Sequence, residues 1–154
     1  MTGDLSEQEI DLLLNREVVG RLGCHDGERT YVVPISYVYH DGYIHGHSGL
    51  GMKVDMLRAG GEVCFQIDHI DDLATWQSVI LWGEYEELTG REAEESIALL
   101  VDRLAPLIGE TGGRLPHPWD DHHGSAEHLL HRASRHGVIF RIKITSKTGR
   151  YEKR

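Results

Sequence analysis

The chain is short of cysteine, of basic residues and of long apolar runs, and each shortage excludes a class of protein. Its two cysteines, Cys24 and Cys64, stand apart in apolar, strand-like stretches. That spacing supplies neither a disulfide framework nor the paired thiols of a zinc ribbon, and both read as buried thiols rather than nucleophiles. Sixteen Lys and Arg against 25 Asp and Glu leave a formal charge of −9 with histidines neutral. The field of the whole chain therefore repels polyanions, so neither nucleic acid nor an anionic membrane surface is expected as a partner. A single small anion is still allowed, because beyond a screening length of about 8 Å distant carboxylates count for little. No stretch approaches the roughly 20 apolar residues of a membrane-spanning helix. Met1 to Glu9 carries no basic leader or apolar core, so a cytoplasmic protein is expected. Three catalytic signatures are missing as well: there is no GxSxG, no HExxH and no strand–GxGxxG–helix unit.

What is present reads as one domain over residues 1–154, long enough to bury roughly two-thirds of its unfolded surface. Ser6 with Glu9 forms a capping-box signature, and Ile10, Leu13 and Leu14 follow on one helical face. From Val18 the apolar period shortens. Strands are predicted over 18–24, 30–39 and 43–47, joined by Asp26-Gly27 and Asp41-Gly42 turns into an antiparallel meander. Pro34 interrupts the second strand and marks an edge, a bulge or a place where a ligand meets the backbone. A short helix over 52–59 ends at Gly60-Gly61, and strands follow over 62–70 and 77–88. Thr89 and Glu92 suggest a second capping box for a helix reaching Pro106, and 138–145 alternates as a last strand. These elements predict a mainly β (α+β) fold, a closed or partly closed barrel of antiparallel strands with flanking helices.

The segment His47-Ser48-Gly49-Leu50-Gly51-Met52-Lys53 lies where the third strand passes into the short helix. Two readings are open there. It is an anion cradle, with glycines that let the backbone turn tightly, helix N–H groups, a hydroxyl and a cation. Alternatively it is an ordinary turn with Ser48 as N-cap and Lys53 solvated. His47 ends the strand where a phosphate would begin, and such a neighbour would raise its pKa and favour the doubly donating cation. His45 reads as a second layer behind it, or as solvent-exposed. Eleven histidines include a cluster over 117–136, read as a solvated loop rather than a metal site. The same loop could cap a cleft with Trp119 as its wall, and 127–133 suggests a helical turn or two. Glu84, Glu86, Glu87, Glu92, Glu94 and Glu95 read as a solvated acidic face.

Taken in order, Gly20-Arg21-Leu22-Gly23, Tyr31-Val32-Val33-Pro34-Ile35-Ser36-Tyr37, His47-Ser48-x-x-Gly51-x-Lys53, Val63-Cys64-Phe65 and Trp76-x-Ser78-Val79, closing with Arg141-Ile142-Lys143-Ile144 and Thr148-Gly149-Arg150, resemble the pyridoxamine 5′-phosphate oxidase-like, FMN-binding split-barrel superfamily. Within it they resemble the nitroimidazole-resistance (Nim)-like branch. The resemblance implies a split barrel of about six antiparallel strands, forming a homodimer with two FMN molecules at the subunit interface. It places Val33, Pro34, Ile35 and Ser36 along the isoalloxazine and ribityl chain, His47, Ser48 and Lys53 at the phosphate, and Ser78 and Val79 facing the ring. No metal is implied. Met52-Lys53 replaces the Arg-Lys pair of members that oxidise pyridoxamine phosphate, which argues against that reaction. The implied function is an FMN-dependent oxidoreductase acting on a small-molecule substrate, such as a nitroaromatic or quinone-like acceptor, with NAD(P)H as donor. The alternative is a non-catalytic haem- or flavin-binding module on the same barrel.

Overall fold

Ser6 and Glu9 begin the first helix in the reciprocal way that their spacing predicts. The Ser6 hydroxyl accepts from the Glu9 N–H at 3.3 Å and the Glu9 carboxylate accepts from the Ser6 N–H at 2.7 Å. The computed structural model describes residues 1–111 and 137–154, with the side chains of 108–111 left out. Its elements are β1 (Thr2–Asp4), α1 (Glu7–Arg16), β2 (Val19–His25), β3 (Thr30–His40), β4 (Tyr43–Gly49), α2 (Met52–Arg58), β5 (Glu62–Asp72), β6 (Thr75–Leu88), α3 (Gly90–Thr111) and β7 (Gly137–Glu152).

Six strands close into a barrel in the order β7-β4-β3-β2-β5-β6, with β6 pairing back onto β7 and β1 added outside on β7. Every pairing is antiparallel. Closure requires the long β7 to bend between two neighbours, and the bend falls at a register shift between Trp82 and Gly83. A Cβ on Gly83 would run into the Lys143 carbonyl, so only glycine lets these backbones meet.

Alternation sends Leu22, Tyr37, Ile44, Phe65, Ile67, Val79, Leu81, Phe140 and Ile142 into the barrel, each fully buried. The Tyr37 hydroxyl donates to the Leu14 carbonyl at 2.8 Å and so fastens α1 to the barrel. Val54, Met56 and Leu57 of α2 join the same core, while Leu100 and Leu104 of α3 pack with Val18 and Val38 in a separate cluster. Among the described residues no helix is long and apolar enough to cross a membrane.

Three elements differ from expectation. The strand β1 is too short to carry a periodic signal, and β7 runs on to Glu152 because β6 and β1 pair with its second half. Helix α3 continues through Pro106 to Thr111. Both Pro106 and Asp102, whose carbonyl loses its partner, are exposed, so water can take that carbonyl. Glu92, expected to pair with Thr89, instead accepts from Arg141 at 3.2 Å. The expected turns over 127–133, Trp119 and the His-rich segment lie outside the described residues.

The β3–β4 ladder is short. It runs from His40↔Tyr43 to Tyr37↔Gly46 and ends. Thr30–Ser36 then pairs only with β2, and His47–Gly49 only with β7. Pro34 thus falls on a stretch paired on one side only, where its missing N–H costs no ladder bond on the open edge.

Candidate functional site

The residues singled out from sequence fall on the two sides of this split and on the outer sheet next to it. On β3, Val33 and Ile35 turn into the core, and Pro34 and Ser36 turn outward. On β6, Val79 is fully buried while Ser78 faces out. Whatever Val33, Ile35 and Val79 offer a ligand outside the barrel, they offer through their backbone.

Strand register assembles an outer face that single-strand reading does not reveal. Arg21 stands opposite both Pro34 and Gln66, and Gln66 stands opposite Ile80. A polar network crosses these strands. Arg21 donates to Asp68 at 3.2 Å, and Gln66 donates to Asp68 at 2.9 Å and to Ser78 Oγ at 3.1 Å. Around it lie Val19, Val32 and Ile80, at 40%, 62% and 37% exposure, large apolar side chains facing water on one sheet. Arg21, Gln66 and Asp68 were missed as functional candidates. The signal that could have found them is the hairpin register across the 26–29 turn, which sets Arg21 beside Pro34.

The cradle segment differs in detail from both of its sequence readings. Gly51, not Ser48, is the N-cap of α2, and the Ser48 hydroxyl donates to the Gly49 carbonyl at 2.8 Å. Neither Gly49 nor Gly51 lies in the left-handed region, Gly51 being extended at φ 165°, and a Cβ at either would meet nothing within 4 Å. The glycines therefore do not serve a tight turn; they leave open space in front of the loop. His47 and Ser48 are both buried. Behind them Gly137 holds β7 close, since a Cβ there would collide with the Ser48 carbonyl and lie 3.0 Å from His47 Nε2.

Lys53, on the first turn of α2, is half-buried, and no carboxylate of the described residues pairs with it. Burial holds its ammonium below the usual lysine range, opposed only by the Cys24 thiol nearby. A half-buried ammonium without a counter-ion is costly unless something else supplies the negative charge.

His45, the candidate second layer, lies beneath α3. Its ring is buried, its Nδ1 is 2.8 Å from Ser96 Oγ, and burial, with Arg141 and His40 as like charges, pushes its pKa down to about 4. The expected acidic face is also partly neutralised. Arg141, stacked over the Tyr43 ring, bonds Glu86 and Glu92, and Arg58 bonds Glu87 at 2.6 Å.

A closed antiparallel barrel whose β3–β4 seam parts after Tyr37↔Gly46 has the architecture of a split barrel. The chain belongs to the pyridoxamine 5′-phosphate oxidase family, whose profile matches residues 6–150. It is similar to an uncharacterized protein of Rhizobium meliloti, 27% identical over 95% of this chain and 92% of that one. Among solved structures it is similar to an FAD-binding protein of Mesorhizobium loti, with 26% identity, a TM-score of 0.77 and coverage of 100% of this chain and 98% of that one. At 18% identity it shares its fold with a Bacteroides thetaiotaomicron protein put forward as a 5-nitroimidazole antibiotic resistance protein, with a TM-score of 0.70 over 98% of this chain and 87% of that one.

Proposed function

We propose that the chain is a flavin-dependent oxidoreductase that holds the phosphate of an FMN moiety at the cradle and the flavin ring against the outer sheet. The observation that carries this reading is Lys53. Its half-buried ammonium, without a carboxylate partner among the described residues, lies beside open loop space and fits a dianionic phosphate, with the buried His47 imidazole as a neighbouring donor. The outer face fits the remainder of the ligand: apolar side chains and Pro34 for a flat ring, and the hydroxyls of Ser36 and Ser78 with the Arg21–Gln66–Asp68 network for its polar edge. Likeness to a protein named for FAD binding supports a flavin in general.

Flavin, when bound, supplies two-electron transfer, so the chain's residues need only bind, orient and shield it. No nucleophile with a matching base is needed. We propose NAD(P)H as donor and a flat nitroaromatic or quinone-like molecule as acceptor. We also propose a homodimer that covers the apolar outer face around Val32 and Ile80. The deciding experiment is a visible spectrum of the purified protein, with and without added FMN, followed by anaerobic NADH or NADPH. Flavin bands that bleach support the oxidoreductase. Bands that do not bleach leave a flavin-binding module, and a protein that takes up no flavin overturns the reading.

A further inference from the structure

Strand register sets Ser78 of β6 directly opposite Asp68 of β5, and alternation turns both side chains outward, since their neighbours Val79 and Ile67 are fully buried. Left to themselves the two would bond each other, with the Ser78 hydroxyl donating to the carboxylate. Gln66 stands between them. Its Nε2 spends both hydrogens on the pair, donating to Asp68 Oδ2 at 2.9 Å and to Ser78 Oγ at 3.1 Å. The amide cannot be turned around, because its oxygen would then face the Asp68 carboxylate, whereas as it stands that oxygen accepts from Arg21 Nη1 at 3.4 Å. The same Arg21 nitrogen holds both Asp68 oxygens at 3.2 Å, so the acid carries its own counter-charge.

The consequence falls on one proton. Ser78 Oγ is already an acceptor toward Gln66, and among the described residues no group takes its hydrogen. The hydroxyl is thereby left as a donor on the outer face, beside the exposed Ile80.

We propose that Gln66 is a positioning residue which, with Arg21 and Asp68, fixes the Ser78 hydroxyl as a hydrogen-bond donor to the flavin ring and so favours the reduced cofactor. This rests on the flavin reading of the outer face, and it can fail while that reading stands. A hydride from NAD(P)H carries two electrons and one proton, leaving NAD(P)+ behind and one more negative charge on the ring. A hydrogen bond to a charged acceptor is about twice as strong as one to a neutral acceptor, so a fixed donor holds the reduced ring more tightly than the oxidised one. Without the Gln66 amide the Asp68 carboxylate is free to take the Ser78 proton, and the donor turns away from the ring.

The test is the two-electron midpoint potential of the FMN-loaded protein, read by reductive titration against a reference dye. The wild type is compared with Ser78→Ala, Ser78→Thr, Gln66→Leu and the double variant Ser78→Ala with Gln66→Leu. Ser78→Ala should weaken reduced FMN about tenfold more than oxidised FMN, which lowers the potential by about 30 mV. Gln66→Leu should lower it by a similar amount and Ser78→Thr should keep the wild-type value. The double variant should fall no further than Ser78→Ala alone, because Gln66 acts through the hydroxyl that Ser78→Ala removes. A merely structural loss weakens both redox forms alike and leaves the potential where it was. Thermal melts check folding, and Gln66→Met stands in where Gln66→Leu does not fold. An unchanged potential in either single alanine or leucine variant, or losses that add in the double variant, overturns the positioning role and leaves the flavin reading standing. A wild type that takes up no flavin overturns both.

Discussion

His45 Nδ1 lies 2.8 Å from Ser96 Oγ, and this hydrogen bond between two side chains hidden from water joins β4 of the barrel to helix α3. The bond matters more for what its loss would expose than for its own strength, since a buried polar group left alone costs about 1–3 kcal/mol. Ser96→Ala should therefore destabilise the protein by that amount in urea denaturation. An effect below about 0.5 kcal/mol would mean that another group takes over at His45.

The same histidine makes stability depend on pH in a defined direction. Its folded pKa is depressed to about 4 from an ordinary 6.5, chiefly by burial, so the unfolded chain binds the proton more readily. Stability is complete above about pH 6.5 and falls as the pH drops toward 4, by up to about 3 kcal/mol. His45→Gln should flatten that part of the profile relative to wild type. Parallel profiles for the two proteins would place the acid sensitivity elsewhere.

Lys53 separates ligands by whether they carry phosphate. Lys53→Ala should weaken FMN by about 1.5–3 kcal/mol, the worth of a charge-assisted hydrogen bond, and leave riboflavin nearly unaffected. Because burial lowers the pKa of the free ammonium and a phosphate would raise it, FMN affinity should also fall as the pH rises through the alkaline range, beginning below the usual lysine pKa. Equal losses for FMN and riboflavin would return Lys53 to a structural role.

Two glycines should behave in opposite ways. A Cβ on Gly51 meets nothing, so Gly51→Ala should fold with wild-type stability yet weaken flavin binding by filling the cradle mouth. A Cβ on Gly137 strikes the Ser48 carbonyl, so Gly137→Ala should cost about 1–3 kcal/mol by forcing β7 away from the end of β4. Thermal melts and flavin titrations on the pair distinguish space kept for a ligand from space taken by the chain.

Sedimentation at low micromolar concentration should show a dimer, and Val32→Glu with Ile80→Glu should shift it to monomer by placing charges on the exposed apolar face. A wild-type monomer that binds flavin tightly would show that one chain completes the cleft.

The alternation of apolar residues along Thr30–His40 and Tyr43–Gly49, the Asp41-Gly42 turn with both residues at positive φ, and the Ser6–Glu9 cap are local matters. The sequence by itself therefore determined most of the barrel's strands, its first helix and the position of the loop between β4 and α2. Tertiary structure decided what faces what. Period-two alternation turns His45 outward, which on a bare sheet means solvent, and only the docking of α3 makes that outward face interior. Likewise sequence places Lys53 in the first turn of α2, but whether an acid reaches it depends on every element folded around the barrel mouth, and none of the described residues does. The split has the same origin. Hairpin register follows from the turn, yet the end of the β3–β4 ladder at Tyr37↔Gly46 is set when β7 draws the rest of β4 away, a contact between residues some ninety positions apart in the chain.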